Sequence, residues 1–174
     1  ELLIKNPVWH IHKGKIPKYN QEISYSMLLN LASVCNADNS EILWGFVSKY
    51  TKDNDQSDPL MNNLINKALQ YYKDFIAPNK KYKLPSENEK IALKSLTLRL
   101  SKLNNSNDAE EIQSEVYETG KEFQYYELKE WFSALYQILL GQMQGPRIGS
   151  FIAIYGCKET IDLINRAFNG ELTN

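Results

Sequence analysis

The side chains best suited to bind another molecule are concentrated in one stretch near the C-terminus. Residues 142–149 read QMQGPRIG, which combines amides, one cation and a glycine–proline turn. Backbone N–H groups at a helix start bind anions and carbonyl oxygens, and an arginine guanidinium binds phosphates or stacks on flat rings. The stretch holds no nucleophile and no acid–base pair, so it predicts a binding surface. Its candidate binding side chains are those of Gln142, Gln144 and Arg147.

Catalytic and metal-binding patterns are missing from the sequence. There is no glycine-rich phosphate loop and no Gly-x-Ser-x-Gly elbow. His10 and His12 alternate in the segment VWHIH, but two histidines without a nearby cysteine or carboxylate make a poor metal site. The carboxylates of the acidic stretch 108–130 are expected to face solvent. We therefore expect no catalytic residue, no metal and no cofactor in this chain.

Three residues outside the loop are further candidates for contacts to a ligand. Lys13 and Lys15 flank Gly14 in a basic turn, which suits the phosphates of an RNA backbone. Tyr125 and Tyr126 are adjacent, and neighbouring residues lie on different faces, so the two rings are not easily buried together. An exposed ring such as that of Tyr126 can stack on an unpaired base. A solvated or purely structural role stays open for all three.

The composition is that of a globular protein. Of its 174 residues, 43% are hydrophobic and 24% are charged, and the net charge is −1. No apolar run approaches the roughly 20 residues that cross a bilayer, and the near-neutral charge gives no general argument for DNA binding. Because the chain opens on Glu1, we expect a piece of a longer polypeptide. We expect it to be monomeric and cytoplasmic, with Cys35 and Cys157 reduced.

Hydrophobic periodicity predicts that the chain is helical from Ser24 to its end. The segment VWHIH before it is expected to be a short extended piece. Ser40 and Asp58 are expected to cap helices, and capping boxes are predicted at Ser86 and Asp108. These signals favour an all-α fold, a helical bundle or cage of about eight helices.

The binding loop is predicted to lie between two buried helices. Apolar residues recur at helical spacing on both sides of it, and Gly141 is expected to end the first helix in the left-handed conformation. Arg147 is then placed at the start of the second helix. The lysine-rich segment 79–85 is a candidate boundary, which would divide the chain into an N-terminal lobe, 1–78, and a C-terminal lobe, 79–174. Its lysines either solvate a face or form a footprint for phosphate.

Several stretches resemble the C-terminal region of class I lysyl-tRNA synthetases. They are VWHIHKG, SYSMLLNLASVCNA, EILWGF, ALQYYKDFIAP, DAEEIQSEVYETGKE and WFSALYQILLGQMQGPRIGSF. The resemblance covers essentially the whole chain and is most specific over Trp131–Gly156. This last stretch is also distantly similar to the end of glutamyl-tRNA synthetases, in which an α-helical cage holds the anticodon.

The resemblance implies that the chain is the anticodon-binding part of an ATP-dependent lysine–tRNA ligase and that it recognises the tRNA(Lys) anticodon stem-loop. Lysine, ATP and magnesium would bind elsewhere in the parent enzyme, since no His-Ile-Gly-His or Lys-Met-Ser-Lys-Ser type element occurs here. By position in the glutamyl family, the residues implied to touch the middle of the anticodon are Gly145, Pro146, Arg147, Ile148 and Gly149. The sequence Gln144-Gly145-Pro146-Arg147 departs from the neutral loop of that family, which leaves individual contacts open.

A second function stays open from the residues alone. A non-catalytic helical adaptor could bind another protein in an apolar groove, and its lysines would then only keep it soluble. The family resemblance favours the tRNA-binding interpretation. A salt-dependent affinity for RNA separates the two, because phosphate contacts release counterions and a groove for a protein does not.

Overall fold

The computed structural model describes residues 5, 7–11, 13–14, 23–37, 39–50, 58–103, 106–123 and 127–173. Nine α-helices and no strand occur among these residues, so the predicted all-α class is confirmed. The candidates Lys15 and Tyr126 lie outside them, as do His12 and Tyr125. The helices are α1 (Pro7–Ile11), α2 (Tyr25–Val34), α3 (Ser40–Tyr50), α4 (Pro59–Tyr71), α5 (Glu87–Lys102), α6 (Ala109–Glu122), α7 (Leu128–Leu139), α8 (Ile148–Tyr155) and α9 (Cys157–Phe168).

The N-terminal segment differs from its prediction. VWHIH was expected to be extended, but Pro7–Ile11 form the helix α1. Pro7 occupies the first helical position, where its missing N–H costs nothing and its fixed φ favours a helix start. This extra helix explains why the number of helices among the described residues exceeds the prediction of about eight.

Polar side chains begin three helices as the sequence predicts. Ser24 caps α2, Asp58 caps α4, and Ser86 caps α5, where Glu89 completes a capping box. Each cap satisfies a backbone N–H that the helix itself leaves without a partner, and a cap of this kind typically stabilises a helix by about 1 kcal/mol. The capping signals in the sequence therefore locate these starts correctly.

Two other helix starts differ from their predictions. α3 begins at Ser40 itself, and the cap is Asn39, whose Oδ1 accepts a backbone N–H of the first turn at 3.2 Å. Asp108 caps α6, but the expected capping box does not form. The carboxylate of Glu111 accepts the hydroxyl of Ser106 at 2.7 Å and does not reach back to the cap residue. At α3 the preceding residue, Asn39, provides the cap in place of Ser40. At α6 the hydroxyl of Ser106 engages the Glu111 carboxylate that a capping box would need.

The end of α4 departs from α-helical geometry. Tyr72–Ile76 form a π-helical segment, with hydrogen bonds from i to i+5, and Ala77–Asn79 form a 3-10 turn. Tyr72 is buried at 6% exposure, whereas the ring of Phe75 is 60% exposed. The wider turn therefore buries one aromatic ring of the segment and leaves the other in solvent.

Apolar side chains from α2 to α9 form one buried cluster. Trp131 of α7 lies at its centre with no exposed surface, and its indole N–H donates to the carbonyl of Val116 at 2.9 Å. Trp44 is buried as well, and its indole N–H donates to Asn62 at 2.8 Å. Both indoles therefore pack inside the core with their N–H groups satisfied. The division into lobes 1–78 and 79–174 stays a prediction.

Gly120 permits the close contact between α6 and α7. A Cβ atom at this position would lie 2.6 Å from Cδ1 of Trp131 and 2.8 Å from Cδ2 of Leu128. The indole is buried and hydrogen-bonded, so it has no free space into which it could retreat. Only a glycine therefore fits at this crossing without displacing the core.

We expect Gly120→Ala to lower the free energy of unfolding by about 1–3 kcal/mol, because the added methyl must displace Trp131. Gly45→Ala is the matched control, since Gly45 also lies inside a helix but a Cβ there meets nothing within 4 Å. Alanine at that position should raise stability by about 0.5–1 kcal/mol. Urea denaturation followed by circular dichroism measures both variants. Equal effects of the two substitutions would contradict the packing explanation.

Candidate functional site

The loop between α7 and α8 is anchored at its first residues. Gly141 follows α7 with a φ of +68°, the left-handed conformation that the sequence predicts. Its carbonyl accepts the N–H of Lys81 at 2.9 Å, and the carbonyl of Gln137 accepts the N–H of Lys83 at 3.2 Å. The segment 80–85 therefore lies alongside the end of α7 and fixes where the loop begins.

The segment 80–85 is fixed at its other end by an ion pair. The ammonium of Lys83 donates to the carboxylate of Glu89 at 2.6 Å, and Ser86 contributes two further hydrogen bonds to the same carboxylate. Burial alone would raise the pKa of Glu89, but these hydrogen bonds hold it below its usual value. The carboxylate therefore stays charged at neutral pH and holds the segment against the start of α5.

Tyr136 supports the middle of the loop. Its hydroxyl donates to the carbonyl of Pro146 at 2.6 Å. A Cβ atom at Gly145 would lie 2.5 Å from the ring of Tyr136, so a glycine is needed where the backbone crosses this ring. Burial raises the pKa of the tyrosine, which keeps the hydroxyl a donor at neutral pH. Gly145 and Pro146 thus place the loop, and their contact with a ligand stays a prediction.

The two glutamines of the loop have different surroundings. Gln142 is half-buried, and its Nε2 donates to the hydroxyl of Ser33 at 2.9 Å, which ties the loop to the last turn of α2. Gln144 is exposed, and its side chain makes no hydrogen bond within the part of the chain that the structure describes. Gln144 is therefore free to meet a ligand, whereas Gln142 already has a structural partner.

Arg147 stands at the start of α8, as predicted, and forms an ion pair with Glu110 of α6. Its Nη1 and Nη2 donate to the two carboxylate oxygens at 2.7 and 2.6 Å. The side chains remain 52% and 73% exposed, so solvent screens the pair and it contributes little to stability. These hydrogen bonds raise the pKa of Arg147, which stays charged. The guanidinium is held beside the loop, and a ligand must compete with Glu110 for it.

Ile148 and Gly149 face the interior. Ile148 is 2% exposed, and the N–H of Gly149 donates to Oε1 of Gln113 at 2.9 Å. A Cβ atom at Gly149 would lie 2.3 Å from the carbonyl oxygen of Ala109, so α8 rests directly on the backbone of α6. These two residues position the start of α8. Their predicted contact with a ligand would have to use backbone atoms, and it stays a prediction.

Lys13 is the remaining candidate among the described residues. It lies exposed in the turn after α1, with a φ of +49° and its N–H donated to the carbonyl of His10 at 3.1 Å. Gly14 continues the turn with a φ of +78° and donates its N–H to the carbonyl of Trp9 at 2.9 Å. The predicted basic turn is therefore present at Lys13, and its contact with RNA stays a prediction.

A half-buried lysine, Lys80, connects α2 to the segment 80–85. Its ammonium donates to the carbonyl of Ser33, to Oδ1 of Asn36 at 3.0 Å and to the hydroxyl of Tyr82 at 2.9 Å. It also lies 5.3 Å from the centroids of the Tyr72 and Tyr82 rings, within reach of a cation–π interaction. A cation at this point also suits the negative end of the α2 dipole. All three ammonium protons therefore have partners.

Burial controls the ionisation of the groups around this lysine. It lowers the pKa of Lys80 to about 8 and raises the pKa of Tyr82 to about 12. It also raises the pKa of the neighbouring Cys35 to about 12, although the charge of Lys80 acts in the opposite direction. The cysteine is consequently an inert thiol, in agreement with the predicted reduced state; both cysteines are free.

Two clefts open on either side of Lys81. The first, of about 450 Å³, is lined by Phe75, Ile76, Asn79, Lys81, Gln137, Gly141, Gln142 and Met143. The second, of about 530 Å³, is lined by Asn36, Tyr72, Ala77, Lys80, Lys81, Tyr82, Arg166, Glu171, Leu172 and Thr173. The sequence predicted this lysine-rich stretch as a boundary whose lysines either face solvent or form a footprint for phosphate, and it did not single out Phe75. The prolines on both sides of these lysines were the available signal that this stretch is a rigid segment of fixed position.

The described residues contain no group of three histidine, cysteine, aspartate or glutamate side chains that could hold a metal ion. None of the helices in that same part of the chain is long and apolar enough to span a bilayer.

Comparison with known proteins gives a family and a set of relatives. Residues 59–168 match the anticodon binding domain family. The chain is 45% identical over 161 residues to a lysine–tRNA ligase of Rickettsia felis, which covers 91% of this chain and 31% of that protein. It is also 45% identical over 170 residues to a lysine–tRNA ligase of Roseobacter denitrificans. This alignment covers 97% of this chain and 32% of that protein. The chain thus spans about a third of these curated relatives. No solved structure matches it.

Lys80→Met should change the pH dependence of stability in a defined direction. The pKa of Lys80 is about 8 in the folded state, against 10.5 for a free lysine. Between these values the unfolded state binds more protons, so the wild-type chain should gain stability relative to the variant as pH rises from about 8 to 10.5. Below pH 8 the lysine is charged in both states, and the difference should be constant.

Urea denaturation of both proteins at several pH values from 7 to 10.5 tests this expectation. The raised pKa values of Cys35 and Tyr82 lower stability as pH rises above their ordinary values, but both groups are present in the two proteins. The stability difference therefore isolates Lys80. A difference that stays flat or falls with pH would show that burial does not lower the pKa of this lysine.

Proposed function

The chain belongs to the anticodon binding domain family, and from this premise we propose that it binds the anticodon stem-loop of a lysine transfer RNA. In this proposal the chain is part of a lysine–tRNA ligase that works in the cytoplasm as a monomer. The parent would join lysine to the tRNA in an ATP- and magnesium-dependent reaction at a site outside these residues. The chain itself would contribute specificity, because it would hold the anticodon while the acceptor end reaches the distant active site.

We further propose that the parent is a class I enzyme. The support is the resemblance over Trp131–Gly156, which joins the lysyl and glutamyl class I enzymes and includes the whole binding loop. An all-α arrangement among the described residues is what the helical cage of the glutamyl family implies for this region. The relatives in Rickettsia and Roseobacter are named only as lysine–tRNA ligases, so class membership rests on the resemblance.

The observation that carries the proposal is the fixed loop between α7 and α8. Hydrogen bonds from Lys81 and Tyr136 hold its start and its middle, and its exposed side presents Gln144 and Arg147. An amide can pair with a base edge, and a guanidinium can stack on an unpaired base or bridge phosphates. Because this protein loop is already held in one conformation, it loses little conformational entropy when it binds an exposed anticodon.

Arg147→Ala should weaken binding of the chain to a lysine-type anticodon stem-loop by about 5- to 150-fold, the range for loss of one good base contact. Replacing the middle base of the RNA anticodon should weaken binding to a similar extent. Lys121→Ala is the charge-matched control, since Lys121 is an exposed cation that pairs with Glu118 on α6. Fluorescence anisotropy at low and moderate salt measures all of these affinities.

Glu110→Gln should strengthen binding of the same stem-loop several-fold. Arg147 must leave Glu110 before it can contact RNA, and the substitution removes both the competing charge and a repulsion with phosphate. Glu118→Gln removes an equal charge from the same helix and serves as the control, so it should have the smaller effect. Equal effects of the two substitutions would mean that Arg147 stays paired in the complex.

The remaining outcomes separate the function from its details. Equal affinity for every loop sequence, with a clear salt dependence, would reduce the site to contacts with the RNA backbone. An absence of binding even at low salt would overturn the proposal for this chain and favour the helical adaptor that binds protein.

A further inference from the structure

We propose that the cleft of about 450 Å³ beside the loop receives one unstacked nucleobase of the bound RNA, and that Lys81 contacts the phosphate next to it. This inference rests on the proposed function, and it assigns a base-binding position that lies between the π-helical segment and the 142–149 loop. Clefts of roughly 300–1,000 Å³ take small ligands, so the volume suits a single nucleotide and not a folded helix of RNA.

Two exposed apolar side chains line this cleft. Phe75 of the π-helical segment is 60% exposed, and Met143 of the loop is 68% exposed. Large apolar groups in solvent are unfavourable unless a partner covers them, and a flat base can cover both. Aromatic rings stack on bases without regard to sequence, and the polarisable sulfur of methionine also packs well on aromatic rings. These residues supply the stacking surface.

Three amide side chains line the same cleft and have acceptor capacity to spare. The amide nitrogen of Asn79 donates to the backbone carbonyl of Phe75, and that of Gln142 donates to the hydroxyl of Ser33. The amide nitrogen of Gln137 donates to the hydroxyl of Ser133 and to the sulfur of Met143. Their carbonyl oxygens accept no hydrogen bond from any residue that the structure describes. An unpaired base exposes N–H groups on its pairing edge, and amide oxygens of this kind accept them. The polar lining is therefore complementary to a base edge.

Lys81 supplies the charge next to this lining. Its backbone N–H is fixed to the carbonyl of Gly141, while its side chain is exposed and forms no ion pair with the described residues. It lines both clefts, and the second cleft adds Lys80 and Arg166. Arg166 already has Glu171 within 3.6 Å, and Lys80 is committed to α2. Lys81 is thus the cation best placed to meet a phosphate.

The combination favours a nucleotide over a peptide. A purely apolar groove would suit a helix of a partner protein, but here stacking surfaces, amide acceptors and one uncommitted cation occur within a single small cleft. A base offers a flat face and a donor edge, and its phosphate offers the opposite charge. The three chemical features of one nucleotide match the three kinds of residue that line the cleft.

The test combines substitutions in the chain with abasic positions in the RNA. Phe75→Ala should weaken binding of the anticodon stem-loop by about 5- to 150-fold, the range for loss of one base–aromatic stack. Leu98→Ala is the control, because Leu98 is 65% exposed on α5 and does not line the cleft. For one abasic position in the loop, Phe75→Ala should cause no further loss, because the stacked base is already absent.

Affinity for RNA falls as salt rises, and Lys81→Gln should make the slope of log affinity against log salt less steep by about 1. Lys158→Gln, at an exposed position outside the cleft, should leave this slope unchanged. A readout independent of these variants is photocrosslinking of a 4-thiouridine-substituted loop to the unaltered chain. The crosslink should map to the residues of the cleft, with Phe75 and Met143 the expected sites.

The outcomes distinguish this inference from the function on which it rests. If Arg147→Ala weakens binding but Phe75→Ala does not, the cleft is overturned and anticodon binding stands. Additive losses for Phe75→Ala at every abasic position, or crosslinks only outside the cleft, would also overturn it. If the stem-loop does not bind to the chain at all, both proposals fail together.

Discussion

The ammonium of Lys80 is the contact on which the arrangement of the binding surface depends. It joins the carbonyl of Ser33 in α2 to Tyr82 in the segment 80–85, and that segment in turn holds the start of the loop through Gly141. Taking this charge out of water is costly, which is why its pKa falls to about 8. The cost is tolerated because the three acceptors and two aromatic rings surround the cation. The folded core therefore determines where the loop begins.

A second constraint fixes the other end of the loop. α8 rests on the backbone of α6 at Gly149, where no side chain would fit, and Gln113 accepts the N–H that the helix start leaves open. This close contact brings Arg147 at the start of α8 within reach of Glu110 of α6. The exposed arginine thus owes its position to buried contacts one turn away. The close packing of α8 on α6 therefore also determines where the guanidinium of Arg147 lies.

The predictable part of the fold is the part that local chemistry determines. Apolar periodicity and caps such as Ser86 identify helices because each acts within a few residues. The first helix was missed because VWHIH alternates like a strand, while Pro7 at its start decided the outcome. At the site, the position of Arg147 at the start of α8 was predicted from residue type and spacing. Its pairing with Glu110 was not, because 37 residues separate the partners and only the crossing of α6 and α8 unites them. Phe75 was not singled out either, because only the folded chain brings it beside Gly141 and Met143.

The charges near the loop indicate how such a surface can be selective. Arg147 is paired with Glu110, Lys80 with groups of α2, and Lys83 with Glu89, so much of the positive charge around the loop is already neutralised or committed. With a net charge of −1, the chain has little long-range attraction for nucleic acid in general. In the proposed complex, affinity would then come from short-range contacts that only a suitably shaped ligand satisfies. In the proposed complex, an ion pair that opened only for the correct RNA loop would make charge a part of recognition, because an RNA with a poorer fit would not repay the loss of Glu110.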